Sequence, residues 1–189
     1  MKLISLLERL EYTCLQGSTE QEVKNVIYDS RKVEEGSLFI CIRGAVVDGH
    51  KFVPDVIAKG AKVLVVEEAV EAPEDVTVIL VKDSRYAMAF ISAAYFGYPA
   101  EKLKTIGITG TKGKTTTTYM VKSILENAGY KVGLIGTIEA IIGDKVIPAK
   151  NTTPESYVIQ EYFHEMVEAG CDCVVMEVSS QGLMLHRTQ

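Results

Sequence analysis

The chain has 189 residues, of which 47% are hydrophobic and 24% are charged, so it can form one large or two small folded domains. Its 20 basic and 25 acidic residues give a formal net charge of −5, which argues against non-specific binding to nucleic acid. No stretch approaches the ~18 consecutive apolar residues of a membrane span, and the first residues lack a secretion signal, so we expect a cytoplasmic protein without membrane association.

Short apolar runs alternate with segments of helical period, a pattern typical of α/β proteins. In the first half it predicts, in order, a short helix within residues 3–10, a strand at 38–42, a helix ending at Gly60, strands at 63–66 and 76–81, and a helix ending at Gly97. A helix end, a proline and several charges then coincide between residues 97 and 104. We therefore predict two domains, 1–100 and 101–189.

The second half continues the same alternation of strands and helices. It predicts, in order, a strand at 103–109, a helix with Val121, Ile124, Leu125 and Ala128 on one face, a strand at 131–137, a hairpin at 140–149, a helix ending at Gly170, and a strand at 171–178. The hairpin turns at Gly143-Asp144. Thr153 and Pro154 are predicted as the N-cap and first residue of the last helix.

The four cysteines are Cys14, Cys41, Cys171 and Cys173. The last two enclose a single aspartate inside a predicted strand, whereas a zinc site requires wider spacing and a second pair. We therefore expect free thiols in a reduced interior.

The sequence Gly110-Thr111-Lys112-Gly113-Lys114-Thr115 follows an apolar strand and opens a helix. Its glycines let several amides face one anion, and the helix adds its partly positive N-terminus. Lys114 can neutralise phosphates, and the Thr115 hydroxyl can ligate Mg²⁺. The strict P-loop pattern fails, because Ile108 stands where it requires a glycine. A turn without a ligand is the alternative, but four successive threonines, which disfavour a helix, argue for phosphate binding.

Two further polar segments follow predicted elements of this second half. Glu177 lies near the end of an apolar strand, where ligands of open α/β sheets bind and where Mg²⁺ needs an oxygen ligand. A solvated charge is the alternative reading of Glu177. The segment Asn151-Thr152-Thr153-Pro154 precedes a helix, and taken alone it is a helix cap.

The form Thr-Gly-Thr-x-Gly-Lys-Thr resembles the ATP loop of the Mur ligases and of folylpolyglutamate synthases, with Lys112 where asparagine is usual. The segment from Glu177 to Leu183 is similar to the Mur ligase pattern Glu-Val-Ser-Ser-His-(Ala or Gly)-Leu, with Gln181 in place of histidine. The Asn-Thr-Thr-Pro loop of Mur ligases contacts the UDP-linked substrate, which implies the same role for residues 151–154. Arg187 matches a substrate-contacting arginine of the family.

The first half carries a second resemblance. Tyr28-Asp29-Ser30-Arg31 and the loop from Arg43 to His50 are similar to the first domain of the Mur ligase that adds the third peptide residue, where two such segments hold the UDP-sugar. From the residues alone, these are two polar turns. Leu185 stands where some relatives carry a substrate-binding glutamine, so the resemblance does not imply that contact here.

The resemblance implies roles for individual residues. Lys114 and Glu177 are the implied catalytic residues, with Thr115 and Glu177 as metal ligands. The implied ATP-binding residues are Gly110, Thr111, Lys112, Gly113, Lys114, Thr115 and Thr116. The implied substrate-binding residues are Tyr28, Ser30, Gly44, Ala45, Val46, Asn151, Thr152, Thr153, Ser179 and Arg187.

The resemblance also implies a fold and an activity. The fold is α/β, with a small N-terminal domain for the UDP-substrate and an incomplete P-loop-type central ATPase domain that has a mainly parallel sheet. The activity is an ATP- and Mg²⁺-dependent ligation: the D-glutamate carboxylate of UDP-N-acetylmuramoyl-L-alanyl-D-glutamate becomes an acyl phosphate, which the amine of a diamino acid attacks. The amine, meso-diaminopimelate or L-lysine, binds a third domain in this family, so we expect the 189-residue chain to bind ligands and to be inactive alone.

Four alternatives remain open on the residues. A folate-adding ligase shares the ATP loop but lacks the first domain, and the Mur ligase that adds the terminal dipeptide differs after the Glu177 strand. A non-catalytic nucleotide-binding module would not need Lys114, Thr115 and Glu177 together. A generic P-loop kinase or GTPase would not explain the loop at residues 151–154 and would normally place an aspartate at the metal strand.

Overall fold

The computed structural model describes residues 1–44 and 46–189, which form two units, Met1–Tyr95 and Phe96–Gln189. The functions predicted for residues 1–100 and 101–189 stay predictions. Within the described ranges, no helix is long and apolar enough to cross a membrane.

In its described residues, the first unit contains a five-stranded sheet, three α-helices and short 3-10 turns at Ser30–Lys32 and Gly49–Phe52. Its strands are β1 (Thr13–Gln16), β2 (Asn25–Ile27), β3 (Ser37–Ile40), β4 (Val63–Val66) and β5 (Thr77–Leu80). Its helices are α1 (Leu3–Leu6), α2 (Val53–Ala58) and α3 (Ser84–Tyr95). The strand order is β1-β5-β4-β3-β2, in which only the β1–β5 pairing is antiparallel.

The core of the first unit is built on strands buried along their whole length. All residues of β3 and β4 are buried, as expected of parallel strands that are covered on both faces. Leu64 and Phe39 belong to one buried cluster, which includes Val56 of α2. Runs of β-branched and aliphatic side chains fill such a layer well, which explains why β3, β4 and β5 could be predicted from their apolar runs.

The second unit contains a second five-stranded sheet. Its strands are β6 (Lys104–Ile108), β7 (Val132–Ile135), β8 (Glu139–Ile142), β9 (Lys145–Pro148) and β10 (Cys173–Glu177). Its helices are α4 (Lys114–Asn127), α5 (Ser156–Glu168) and α6 (Ser180–Met184). The strand order is β6-β10-β7-β8-β9, with β10 parallel to both β6 and β7 and an antiparallel β8–β9 hairpin extending the sheet.

Strand β10 is the centre of the parallel part, and every residue in it is buried. Helix α5 packs Ile159, Phe163 and Met166 against one face of this sheet. The approach is close: a Cβ on Gly133 of β7 would lie 2.4 Å from the sulfur of Met166. The carboxyl ends of β6, β10 and β7 therefore meet at one edge of a tightly packed sheet.

Two details of the chain differ from the sequence-based expectations. Helix α5 begins at Ser156 with Glu155 at its N-cap, so the prediction of Thr153 and Pro154 as helix-starting residues is wrong. Ile124 is 67% exposed and Ala128 is exposed too, so of the four residues predicted on one face of α4 only Val121 and Leu125 pack, partly buried, against the sheet. Strands β1 and β2 were not predicted, because neither carries an apolar run.

All four cysteines are free, as predicted. Cys41, Cys171 and Cys173 are buried, whereas Cys14 on β1 is exposed, so the expected interior position is wrong for Cys14. Burial raises the pKa of the Cys41 thiol to about 12, with nearby Asp48 and Glu67 adding to the effect. The Cys41 thiol therefore stays protonated at neutral pH and behaves as a small apolar side chain.

Replacement of Leu64 by alanine tests the core of the first unit. Leu64 is fully buried, so Leu64→Ala should lower the free energy of unfolding by about 3 kcal/mol through lost burial and a residual cavity. Urea denaturation followed by circular dichroism measures the change. Leu15→Ala is the matched control, because Leu15 on β1 is 43% exposed and its loss should cost less than about 1 kcal/mol. Equal costs for the two variants would contradict this core assignment.

Candidate functional site

The loop between β6 and α4 has a backbone that only glycine adopts easily. Gly110 has φ 148° and Gly113 has φ 80°, both in the region where L side chains are strained. Gly113 is the N-cap of α4, which runs for 14 residues. The first amides of such a helix have no acceptor within it, so this loop presents donors and a partly positive helix end to an anion.

Lys114 is the first residue of α4 and reaches back across the loop. Its Nζ donates to the backbone carbonyl of Gly110 at 2.9 Å. One contact leaves two of the three ammonium protons for another acceptor. The ammonium is thus held beside the glycine loop, where a phosphate bound to the helix end would contact it.

Glu177 ends β10 and is only 1% exposed. Its Oε2 accepts from the Thr115 hydroxyl at 3.0 Å and lies 3.1 Å from the Thr137 hydroxyl, and its Oε1 accepts from the Thr137 backbone N–H at 2.8 Å. These donors offset part of the cost of burying a carboxylate. A Cβ on Gly136 would lie 2.7 Å from Oε1, so glycine at 136 is what lets this backbone approach the carboxylate.

The oxygen ligands here suit Mg²⁺ better than a transition metal. Glu177 and the Thr115 hydroxyl lie side by side, and Mg²⁺ in nucleotide sites is held by one or two protein oxygens together with phosphates and water. Among the described residues, no group of three or more His, Cys, Asp or Glu side chains forms a metal cage. The residues therefore fit a phosphate-bound Mg²⁺ and not a metal held by the protein alone.

The loop at residues 151–155 is fixed directly to the end of β10. The buried Thr153 hydroxyl donates to the carbonyl of Glu177 at 3.0 Å and accepts from the N–H of Ser179 at 3.0 Å. These bonds explain the corrected helix start, because the hydroxyl predicted to cap α5 is used in tertiary contacts. Thr152 lies beside Thr137, with 3.1 Å between their hydroxyl oxygens.

Arg187 holds the same loop from the other side. It donates to the carbonyl of Thr153 at 3.0 Å and to Glu155 Oε1 at 2.7 Å. The Arg187 side chain is 13% exposed and that of Glu155 is 22% exposed, so this pair is shielded from solvent. Ser179 caps α6 by accepting from the Gly182 N–H at 3.0 Å. These contacts place Arg187 and Ser179 beside Glu177 and the Thr152–Thr153 loop.

The first unit has a cavity of about 470 Å³. Two segments that are distant in sequence line it, the turn from Tyr28 to Arg31 and the loop that contains Val47, Gly49 and Phe52. Asp29 fixes the turn, because Arg31 donates to it from the backbone and from Nε and Nη2. Hydrogen bonding from the Arg31 side chain lowers the pKa of Asp29 to about 2, so the carboxylate is ionised at neutral pH.

The second cavity segment is fixed by His50. Its Nε2 accepts from the Glu67 N–H at 3.0 Å, so its Nδ1 carries the proton that is donated to Asp48 Oδ1 at 2.6 Å. Hydrogen bonds from the backbone and ring of His50 lower the pKa of Asp48. Arg43 adds ion pairs to Asp48 at 3.6 Å and to Glu67 at 3.4 Å. A Cβ on Gly49 would lie 2.7 Å from the Ile42 nitrogen, so the loop requires glycine at that position.

Comparison with known proteins assigns both units to one family. Residues 108–189 match the family model described as the Mur ligase middle domain, and residues 22–96 match the one described as the Mur ligase family, catalytic domain. The chain belongs to the Mur ligase family. The resemblance drawn from the ATP loop and the Asn-Thr-Thr-Pro loop is therefore confirmed.

Individual relatives agree with this membership. A curated UDP-N-acetylmuramoyl-L-alanyl-D-glutamate–2,6-diaminopimelate ligase from Clostridium perfringens (strain 13 / Type A) is 54% identical over 99% of this Mur ligase chain, and its namesake from Clostridium tetani (strain Massachusetts / E88) is 50% identical. The chain spans about 39% of the length of either relative. A solved structure of a ligase with the same name superposes with a TM-score of 0.77, covering 99% of this chain and 37% of that one at 22% identity, which shows the shared fold.

The structure brings most of the predicted Mur ligase residues into two groups. In the second unit, the loop from Gly110 to Thr116 lies beside Glu177, which in turn contacts the loop at 151–153. In the first unit, Tyr28 and Ser30 line the cavity. Of the other predicted cavity residues, Gly44 lies in the loop leading to it and Val46 is 94% exposed, while Ala45 lies outside the described residues. The binding roles of all these residues stay predictions.

Two residues that lie near the site were not selected in the sequence analysis. Thr137 is the last residue of the predicted strand at 131–137 and lies just beyond β7, so the rule that ligand groups lie at the carboxyl ends of parallel strands could have selected it. Tyr119 lies on α4 and donates its hydroxyl to Glu139 Oε1 at 2.8 Å, for which no pattern in the sequence gave a signal.

Tyr119 yields a test by pH titration. Burial, the hydrogen bond to Glu139 and the charges of Glu139 and Glu177 raise its pKa to about 12. Because the folded state favours the neutral phenol, Tyr119 contributes to stability at pH values below the ordinary pKa of about 10. This contribution is lost as the pH rises toward 12. The difference in phenolate absorbance between the parent chain and Tyr119→Phe should therefore show no ionisation of Tyr119 at pH 10 to about 11.

The matched variant is Glu139→Gln, which removes a charge and keeps the burial. Tyr119 should then ionise at lower pH than in the parent chain, though still above the ordinary value, because burial is the larger cause. An ionisation of Tyr119 near pH 10 in the parent chain would contradict this placement.

Proposed function

We propose that the chain carries the UDP-substrate site and the ATP-phosphate site of an ATP-dependent ligase that forms an amide bond in peptidoglycan precursor synthesis. The proposed acceptor is UDP-N-acetylmuramoyl-L-alanyl-D-glutamate, and the added residue is a diamino acid. The observation that carries the proposal is the contact between Thr115 in the glycine loop and the buried Glu177, with the loop at 151–153 attached to the same strand end. Membership in a family of ATP-dependent ligases supports it.

The chemical difficulty of the first step is that a carboxylate must attack an anionic γ-phosphate. Lys114 and the N-terminus of α4 lower this repulsion by placing positive charge beside the phosphates. Mg²⁺ held by Thr115 and Glu177 would neutralise phosphate charge when bound. The remaining contribution of the chain is orientation, which fixed loops supply by holding the two reacting groups together.

The acceptor carboxylate is assigned to the loop at 151–153. Its fixed contacts to the Glu177 carbonyl and to Ser179 place the loop at the same end of the sheet as the phosphate loop. Asn151 is exposed and its amide can donate to a carboxylate. Arg187 supports this loop by donating to the Thr153 carbonyl, while its guanidinium charge is paired with Glu155.

The UDP-sugar is assigned to the cavity of the first unit. Tyr28, Ser30 and the Gly49 loop offer an aromatic ring, a hydroxyl and backbone amides, a combination that suits a nucleoside with its sugar. For the amine, the names of the 54% and 50% identical relatives favour meso-diaminopimelate over lysine. A module that binds nucleotide without catalysis is the second candidate, and it would not use the 151–153 loop.

Nucleotide binding is tested by removing the loop lysine. Lys114→Ala should weaken the binding of ATP with Mg²⁺ at least about tenfold, because a charge-assisted contact to phosphate is lost. Isothermal titration calorimetry measures the affinity. Lys145→Ala is the control, because it removes the same charge from an exposed side chain on β9, which pairs with Glu165 of α5 away from the glycine loop. Equal affinity in the parent chain and in Lys114→Ala would contradict the assignment of the phosphate site.

Binding of the UDP-substrate is tested in the first unit. UDP-N-acetylmuramoyl-L-alanyl-D-glutamate should bind saturably, and Ser30→Ala should weaken it about fivefold to tenfold through one lost hydrogen bond. Ser18→Ala is the control, because Ser18 is exposed and lies away from the cavity. If ATP binds while the UDP-substrate gives no heat above dilution, the assignment of the cavity is wrong.

A further inference from the structure

Thr137 contacts both the proposed metal ligand Glu177 and the proposed acceptor loop at 151–153. Its backbone N–H donates to Glu177 Oε1 at 2.8 Å, and its hydroxyl lies 3.1 Å from Glu177 Oε2. The same hydroxyl lies 3.1 Å from the hydroxyl of Thr152. One side chain thus contacts the proposed metal ligand and the proposed acceptor loop.

The direction of these hydrogen bonds follows from the number of protons. A hydroxyl has one proton, and a carboxylate oxygen only accepts. When Thr137 donates to Glu177, it must therefore accept from the hydroxyl of Thr152. The resulting chain of donors runs from Thr152 to Thr137 to Glu177, and it ends on the oxygen that also accepts from Thr115.

A cation at Glu177 would reverse this chain. Metal coordination uses lone pairs of the carboxylate and of the Thr115 hydroxyl, so it makes Oε2 a poorer acceptor for Thr137. The Thr137 proton then turns to Thr152. Thr152 no longer donates to Thr137, and its own proton becomes available for a ligand on the loop.

The backbone around Thr137 and Thr152 is fixed, so their hydroxyl groups are the atoms that can reorient. The neighbouring Thr153 is fixed to the Glu177 carbonyl and the Ser179 amide. The turn that carries Thr137 is held by the bond from the Gly136 N–H to the Glu139 carbonyl at 3.0 Å. The backbone on both sides of the Thr137–Thr152 contact is therefore anchored.

We propose that Thr137 is a positioning residue that couples occupation of the metal–phosphate site to the hydrogen bonding of Thr152 in the acceptor loop. The inference rests on the proposed function, because it requires Mg²⁺–nucleotide to bind beside Glu177. It adds that nucleotide and acceptor bind cooperatively, with the nucleotide's metal as the effector. The Thr152 hydroxyl can then donate a hydrogen bond to the substrate carboxylate only when Mg²⁺–nucleotide is already bound.

The first test follows the methyl group of Thr152 by NMR in the 189-residue chain, with the signal assigned from a Thr152→Ser spectrum. A non-hydrolysable ATP analogue is added with Mg²⁺ or with EDTA. The Thr152 signal should shift with Mg²⁺ and not with EDTA. The same shift should occur in Thr137→Ser, which keeps the hydroxyl, and should be lost in Thr137→Val, which keeps the shape.

The second test measures coupling by calorimetry. Affinity for UDP-N-acetylmuramoyl-L-alanyl-D-glutamate should rise about fivefold or more when the analogue and Mg²⁺ are present. This ratio should fall to about one in Thr137→Val and persist in Thr137→Ser and in the control Thr105→Val. Thr105 is exposed on β6, so its substitution removes a hydroxyl from the same sheet without touching Glu177.

The outcomes separate the inference from the function on which it rests. Failure of the analogue to bind would overturn the proposed nucleotide site. Binding of the analogue without a Mg²⁺-dependent Thr152 shift, or with coupling unchanged in Thr137→Val, would overturn the role of Thr137. If Thr137→Val does not fold, Thr152→Val breaks the same hydroxyl pair from the side of the loop, and retained coupling in that variant would also overturn the role.

Discussion

The carboxylate of Glu177 is removed from water at the end of a fully buried strand, so its stability requires donors from the chain around it. Three come from two threonines, each located just after a strand or loop beside β10. This requirement brings the phosphate loop, the end of β7 and the end of β10 to one point. The rest of the second unit can be understood as the packing that holds these three segments in register.

This packing depends on two glycines that allow neighbouring segments to approach closely. Gly136 permits the close backbone approach to the carboxylate, and Gly133 permits α5 to lie against β7 through Met166. Thr153 then ties the loop at 151–153 to the same strand end, and Arg187 donates a hydrogen bond to the Thr153 carbonyl. The first unit uses a related solution, in which His50 and Asp48 fix one wall of the cavity and Asp29 with Arg31 fixes the other.

Local sequence patterns predicted the parts of the molecule that local physics determines. The phosphate loop, the buried strands, the hairpin at 140–149 and the strand ending at Glu177 all follow from glycine, apolar runs and turn residues. Thr153 was misplaced because its hydroxyl bonds to residues more than twenty positions away, which no local pattern records. Tyr119 was missed for the same reason, because its partner Glu139 lies on another element. Thr137 was also missed, although its position at the end of a parallel strand could have selected it. The two turns around the first-unit cavity were selected by resemblance, and only their meeting in space gives them a common site.

The distribution of thiols gives each unit its own reporter of transient opening. Cys14 is the exposed thiol, so a maleimide dye would attach there first and leave the interior unmodified. Cys41 lies in the first unit, and Cys171 and Cys173 lie in the second, all protected by burial. Once Cys14 is blocked, the rate at which each buried thiol reacts measures how often its own unit opens. Ligand-induced tightening of either half can thus be followed separately, without introducing a single mutation.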